Sequence, residues 1–154
     1  MDAGFINPIS VSEWVSSLVL VPKKNGKWRI CVDYRELKKA TNKDHFPLPF
    51  IDQVLDGLAG NFFSLFIRWV QRYNQIQVSP KDQDKTTFTC PWGIFAYRVL
   101  HFGLCNALAN FQRVVLSIFV ELVHDSIEIN MDDFTLYVCD FLEALSNLGK
   151  LLNK

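Results

Sequence analysis

The sequence predicts an α+β domain in which an antiparallel sheet carries helices packed on one face. Three observations lead there. Over 154 residues the chain is 49% hydrophobic and 14% aromatic, enough for one core and too apolar for a disordered segment. Runs of β-branched and aromatic residues come in pairs around turn-forming residues, first "SLVLVP" and "WRICVDY" flanking "KKNGK", later "SIEIN" and "FTLYV" flanking "MDD". Elsewhere apolar residues recur three and four apart, the period of a helix face.

Taken in order, Asn25-Gly26 sits at the centre of the first pair. It is a strong hairpin signal, because a type I′ turn needs positive φ at both central residues. A β-hairpin with a basic tip is expected. "RELKKAT" then has helix-forming residues, and "HFPLPF" stops any helix, since each Pro lacks an amide donor and pushes its predecessor to extended geometry. A helix over about residues 51–58, closed by Gly57 and Gly60, comes next. "YNQIQVSPKDQDKTTFTC" reads as strand, polar loop with Pro80, and strand; "PWGIFAYRVL" adds a turn at Trp92-Gly93 and a further strand. The longest helix is expected over about residues 106–124, with Asn106 as N-cap and Leu108, Phe111, Val115, Phe119 and Leu122 on one face. The second hairpin puts Asp132 and Asp133 at or beside its turn, and a last helix starts near Asp140.

The formal net charge is zero, yet the charges are sorted. Lys23, Lys24, Lys27, Arg29, Arg35, Lys38, Lys39 and Lys43 crowd the front against Asp33 and Glu36, while Glu121, Asp125, Glu128, Asp132, Asp133, Asp140 and Glu143 fill residues 121–143 with no Lys or Arg between them. That division suits a protein holding polyanions at one place and divalent cations at another, and equally describes two solvated faces. No basic leader precedes an apolar run, and no stretch approaches eighteen uninterrupted apolar residues. A soluble intracellular protein, cytoplasmic or nuclear and without a membrane partner, is expected. Cys31, Cys90, Cys105 and Cys139 stand far apart without a CxxC pair, as reduced thiols do. Paired aspartates at a turn hold a divalent ion only where neighbouring strands add a further oxygen; alone, they are ordinary turn residues.

The surrounding segments carry a resemblance. "PISVSEWVSSLVLVPKKNGKWRICVDYRELKKATNKDHFPLPFIDQVLDGLAGN", "QIQVSPKDQDKTTFTCPWGIFAYRVLHFGLCNALANFQR" and "MDDFTLY" closely resemble, in collinear order over about residues 5–150, the reverse transcriptase of gypsy-type long-terminal-repeat retrotransposons in the form abundant in plant genomes. The resemblance implies a right-hand polymerase with fingers at about residues 10–60 and 75–100 and palm at about 61–74 and 101–154, in a single incomplete domain lacking thumb, ribonuclease H and integrase segments. It implies an RNA-directed DNA polymerase that extends a primer with two Mg²⁺ about 3.5 to 4 Å apart. The implied partners are an RNA or DNA template-primer and a deoxynucleoside triphosphate. By the same resemblance Asp132 and Asp133 are two of three catalytic, metal-binding carboxylates. Lys23, Lys24 and Arg29 match contacts to nucleotide phosphates and template, Tyr73 the aromatic residue under the incoming sugar, and Phe102, Gly103 and Gln112 the lining of the nucleotide pocket and template path. His101 and Leu108 stand where the family usually shows Pro, and Asn130 where it shows a large residue.

One strand departs further. The family takes its third carboxylate from a pattern "FLDGYSGYNQI", and counting back from Tyr73 that position is Arg68, with "RWVQR" in place of "DGYSG". At about 4 Å and an effective dielectric near 20, a pair of unit charges is worth about 4 kcal/mol, and a divalent ion doubles it, so an arginine there opposes metal binding. Writing "LDGYSG" as TTA GAT GGG TAC AGC GG and reading it one frame over behind an added A gives ATT AGA TGG GTA CAG CGG, which spells "IRWVQR", residues 67–72. A short out-of-frame stretch is therefore expected in codons 64–74, where the in-frame "LDGYSG" should lie hidden. The function expected is that of a catalytically defective remnant of the polymerase, a pseudoenzyme; the alternative is a non-catalytic nucleic-acid-binding module using the basic hairpin.

Overall fold

A computed structural model of the chain describes residues 4–47, 52, 55, 59, 63–68, 72–123, 125–130 and 133–153. The described strands are β1 (Ile6–Pro8), β2 (Ser16–Pro22), β3 (Trp28–Val32), β4 (Phe63–Arg68), β5 (Phe88–Cys90), β6 (Gly93–Tyr97), β7 (Ile127–Asn130) and β8 (Asp133–Val138). The described helices are α1 (Arg35–Ala40), α2 (Pro80–Gln83), α3 (Ala107–Ile118) and α4 (Phe141–Leu152). They divide into two compact units, Met1–Asp44 with Tyr73–Ala107, and His45–Arg72 with Leu108–Lys154.

The first unit is built on a five-stranded sheet in the order β1-β6-β5-β2-β3. Its hairpins are antiparallel as their sequences predict, but β2 and β5 run parallel through Ser16↔Phe88 and Ser17↔Thr89. The strands thus fall into two sheets, and this one is mixed. Val32, Tyr34, Phe88 and Phe95 form its core, with Ile6, Leu18, Leu37 and Tyr97 packed against them. The Tyr34 ring is buried to 2% exposure while its hydroxyl donates to Thr86 O at 2.8 Å, so the one polar atom of that ring is satisfied.

The second unit holds a three-stranded antiparallel sheet, β4-β8-β7. The central strand β8 is buried along nearly its whole length after Asp133, as expected of the middle of a sheet. Phe119 meets Phe134 edge to face, ring centroids 5.6 Å apart, and α4 packs on β8 and β4. α4 starts beside Asp140 as predicted, and the structure adds that Asp140 caps it, its carboxylate accepting the Leu142 N–H at 3.2 Å.

Several elements differ from the expectation. The tip of the first hairpin is a three-residue loop rather than a two-residue type I′ turn: Pro22 pairs with Trp28, Lys23 N–H donates to Lys27 O at 2.7 Å, and Gly26 N–H donates to Lys23 O at 3.0 Å. Gly26 takes positive φ, 76°, at the αL position that such loops require. The stretch that reads as a strand at Tyr73 begins as a 3₁₀ turn, Arg72–Gln75, and is extended only at the bridge Gln77↔Val99. Pro80 opens α2 instead of sitting in a loop, because a first-turn proline loses nothing by lacking its N–H. The α3 helix stops at Ile118; Leu122 N–H then bonds Phe119 O at 2.9 Å, a tightened turn that still carries Phe119 and Leu122 into the core. Asn106 spends its side chain on the 42–44 segment, donating to Asn42 O and accepting from Asp44 N–H, a tertiary use that an N-cap reading misses. The helix expected over 51–58 lies largely outside the described residues, of which Asp52 and Leu55 are helical.

Candidate functional site

Antiparallel pairing gives the first hairpin two different faces. Leu20↔Ile30 and Pro22↔Trp28 fall on one face, and Val21↔Arg29, with Lys23 opposite Lys27, on the other. Lys23, Lys24 and Arg29, with Val21, Pro22 and Asn25, line an open depression of about 430 Å³. Three other cations in this unit are matched: Arg35 grips Asp33 at 2.6 Å and pulls that carboxyl below its usual range, Lys39 meets Glu36 at 2.8 Å, and Lys85 meets Asp82 at 2.7 Å. Among the described residues Lys23, Lys24, Lys27 and Arg29 have no acidic partner. Four like charges on one hairpin without an acidic partner make its surface locally positive.

Tyr73 is half-buried, and its ring lies 6.4 Å from that of Phe102, which is 68% exposed. Gly103 has φ 111°, and a Cβ on it would stand 3.6 Å from the Tyr34 ring, so both backbone and neighbour favour glycine. His101 stacks on Tyr97 with centroids 4.1 Å apart and meets Tyr34 edge-on at 6.4 Å. Burial lowers its pKa, which keeps the imidazole neutral at neutral pH. The structure therefore gathers Tyr73, Phe102 and Gly103 in one neighbourhood, steadied by an aromatic stack at the position where the resemblance expected Pro.

Gln112 has another environment than the ligand-lining one predicted. It is fully buried, Nε2 donates to Ile129 O at 3.2 Å, and Oε1 has no hydrogen-bond partner. It braces α3 against β7. The burial has a sequence signal only in hindsight, since Gln112 adjoins Phe111 on the inward arc of α3.

Of the two aspartates, Asp132 lies outside the described residues, and Asp133 opens β8, half-buried. Register sets Asp133 opposite Asn130 of β7 on one side and opposite Arg68 of β4 on the other. Across the three strands this row reads amide, carboxylate, arginine. Among the described residues no cluster of three or more His, Cys, Asp or Glu could hold a metal ion. What sequence reading passed over is Trp28, 65% exposed beside Leu20 and Ile30; its signal was the apolar alternation on one face of the hairpin.

Residues 21–154 match the protein family described as reverse transcriptase (RNA-dependent DNA polymerase). The chain is 33% identical over 151 residues to the retrovirus-related Pol polyprotein from transposon 412 of Drosophila melanogaster, covering 94% of this chain and 12% of that protein. It is 31% identical over 147 residues to the transposon Tf2-3 polyprotein of Schizosaccharomyces pombe, covering 89% of this chain and 11% of the polyprotein. Among solved structures, the foamy viral protease-reverse transcriptase in complex with double-stranded DNA superposes with a TM-score of 0.88 at 22% identity, over 99% of this chain and 26% of that one. Its counterpart in complex with an RNA/DNA hybrid gives 0.87 at 21% identity, over 97% and 20%. The chain thus spans about an eighth of these polyproteins and a fifth to a quarter of the solved chains.

Proposed function

The chain belongs to the reverse transcriptase family, RNA-directed DNA polymerases encoded by retrotransposons, and from that premise we propose that it is a catalytically defective remnant of the gypsy-type, plant-like lineage. On this reading the unit containing β2 and β3 serves as fingers and the unit containing β4, β7 and β8 as palm. The observation that carries the proposal is the register Arg68↔Asp133. A pair of Mg²⁺ ions needs several anionic oxygens converging on them, and by register the residue across from Asp133 on β4 is an arginine, a positive charge in place of the third carboxylate that the resemblance implies. On this reading the arginine at position 68 leaves the two-metal site of the family one carboxylate short.

Primer extension tests this. The purified chain, given a labelled template-primer, deoxynucleoside triphosphates and Mg²⁺, should add no nucleotide; processive extension that disappears on changing Asp133→Asn would overturn the proposal.

A second reading has its own support. The four cations of the β2–β3 hairpin, without an acidic partner among the described residues, suit a module that still grips nucleic acid without turning it over, and the foamy viral neighbours were solved on double-stranded DNA and on an RNA/DNA hybrid. Template-primer is the partner we assign to that surface, in cytoplasm or nucleus. The two readings are compatible, since phosphate contacts need only positive charge whereas catalysis needs the carboxylates too.

A further inference from the structure

The first hairpin runs out past the core that supports its base. Among the described strands β2 pairs with β5 only at Ser16 and Ser17, so from Leu18 onward its partner is β3 alone. Along the face that begins at the pair Leu18↔Val32, burial falls away toward the loop. Val32 is 8% exposed and belongs to the core, Leu20 and Ile30 are 60% and 63% exposed, and Trp28, in the last pair before the loop, is 65% exposed. Among the described residues no hydrogen bond or ring contact holds its indole, which leaves most of a large π face in solvent. Pro22, the direct pair partner of Trp28, also lines the depression that holds Lys23, Lys24 and Arg29. Cα atoms of directly paired residues lie only about 4.5 to 5.5 Å apart, so the ring stands at the rim of a cationic hollow. Exposure alone does not single it out: Trp92, in the turn between β5 and β6, is 85% exposed, but residues 86–97 around it contain no Lys or Arg.

We infer that Trp28 is a stacking platform for an unpaired nucleobase of a single-stranded RNA or DNA that crosses the hairpin tip with its phosphates over Lys23, Lys24 and Arg29. The two halves of the surface select this occupant together. An apolar peptide would cover the indole and leave the cations without counter-charge, and a lone phosphate would do the reverse. A polynucleotide carries a phosphate and a flat aromatic ring in every repeat, so one short segment answers both. A duplex does not, because its base faces are already stacked on one another and only its phosphates are on offer. By alternation Lys27 and Arg29 project to the face opposite Trp28, and the ribbon there is two strands wide, so the strand bends around the loop rather than lying flat on one side. Leu20 and Ile30 continue the apolar row beside the ring and offer cover to a sugar or a second base. The inference rests on the reading of this hairpin as a nucleic-acid grip and adds to it a preference for single strands.

Fluorescence anisotropy of the full chain with three labelled probes tests the stacking: an oligothymidylate of about 12 nucleotides, an abasic strand of the same length, and a blunt duplex. The parent should prefer the oligothymidylate to the abasic strand. Trp28→Ala should weaken oligothymidylate binding by about fivefold or more, with little change on the other two probes and an unchanged salt slope. Trp28→Phe, which keeps a ring, should recover most of the loss, and Trp92→Ala should match the parent. Circular dichroism of each variant verifies that it is folded. Equal parent affinity for oligothymidylate and abasic strand, an unaffected Trp28→Ala variant, the same loss on all three probes, or the same loss from Trp92→Ala overturns the inference and leaves the phosphate grip standing. Failure of the parent to bind any probe at low salt overturns the grip itself, and the inference with it. Self-association that weakens in Trp28→Ala at unchanged oligonucleotide affinity also overturns it, assigning the face to a second copy.

Discussion

Replacing Lys23, Lys24, Lys27 and Arg29 together with alanine should remove most of the salt dependence of nucleic-acid binding. The size of the effect follows from their having no acidic partner among the described residues, which leaves each free to displace a counter-ion from a phosphate. Each phosphate neutralised contributes about 0.7 to 0.9 to the slope of log K against log salt, so losing four flattens it by about 3. Between 50 and 200 mM salt that difference amounts to about 60-fold in affinity. Fluorescence anisotropy of a labelled template-primer, titrated with both proteins at several salt concentrations, reads the slope directly. Lys85→Ala is the control, since Lys85 is held by Asp82 at 2.7 Å and should leave the slope unchanged. Equal slopes for the parent and the fourfold variant, or an equal flattening from Lys85→Ala, would refute the assignment of the hairpin as the phosphate-binding surface.

Two further outcomes concern the frame that holds the site. Tyr34→Phe removes the donor to Thr86 O inside the first core and should cost about 1 to 2 kcal/mol in urea unfolding; a change near zero would mean the hydroxyl is not spent there. Burial lowers the pKa of His101, so the unfolded chain takes up a proton more readily than the folded one. Stability should therefore be held above about pH 6.5 and decline as pH falls below it, and His101→Phe, which keeps a ring against Tyr97, should flatten that decline. A profile of the same steepness in the variant would show that another group governs it.

The residues that carry local rules declared themselves. Alternation in "SLVLVP" and "WRICV", the helical spacing that runs through α3, and Asp140 ahead of α4 are all short-range preferences, and the hairpins and helices they predict are present. The limits were local too. An apolar period that continues past Ile118 cannot report that the chain tightens there, and "YNQI" has strand composition although its first residues wind into a 3₁₀ turn, because the extended form at residue 77 depends on Val99, a partner far along the chain. Gln112 illustrates the same limit at the site: the resemblance put it on the pocket lining, and only the fold sets a carbonyl of β7 beside its amide.

What the sequence determined by itself is chemical identity: a basic hairpin, paired aspartates, and an arginine where the resemblance implies a carboxylate. Those are properties of residue type, and they persist whatever the chain does in space. Tertiary structure decided adjacency. It joined β2 to β5 in parallel and set Arg68 across from Asp133, because strand order and register arise from burying two separate cores, and no window of neighbouring residues contains that information.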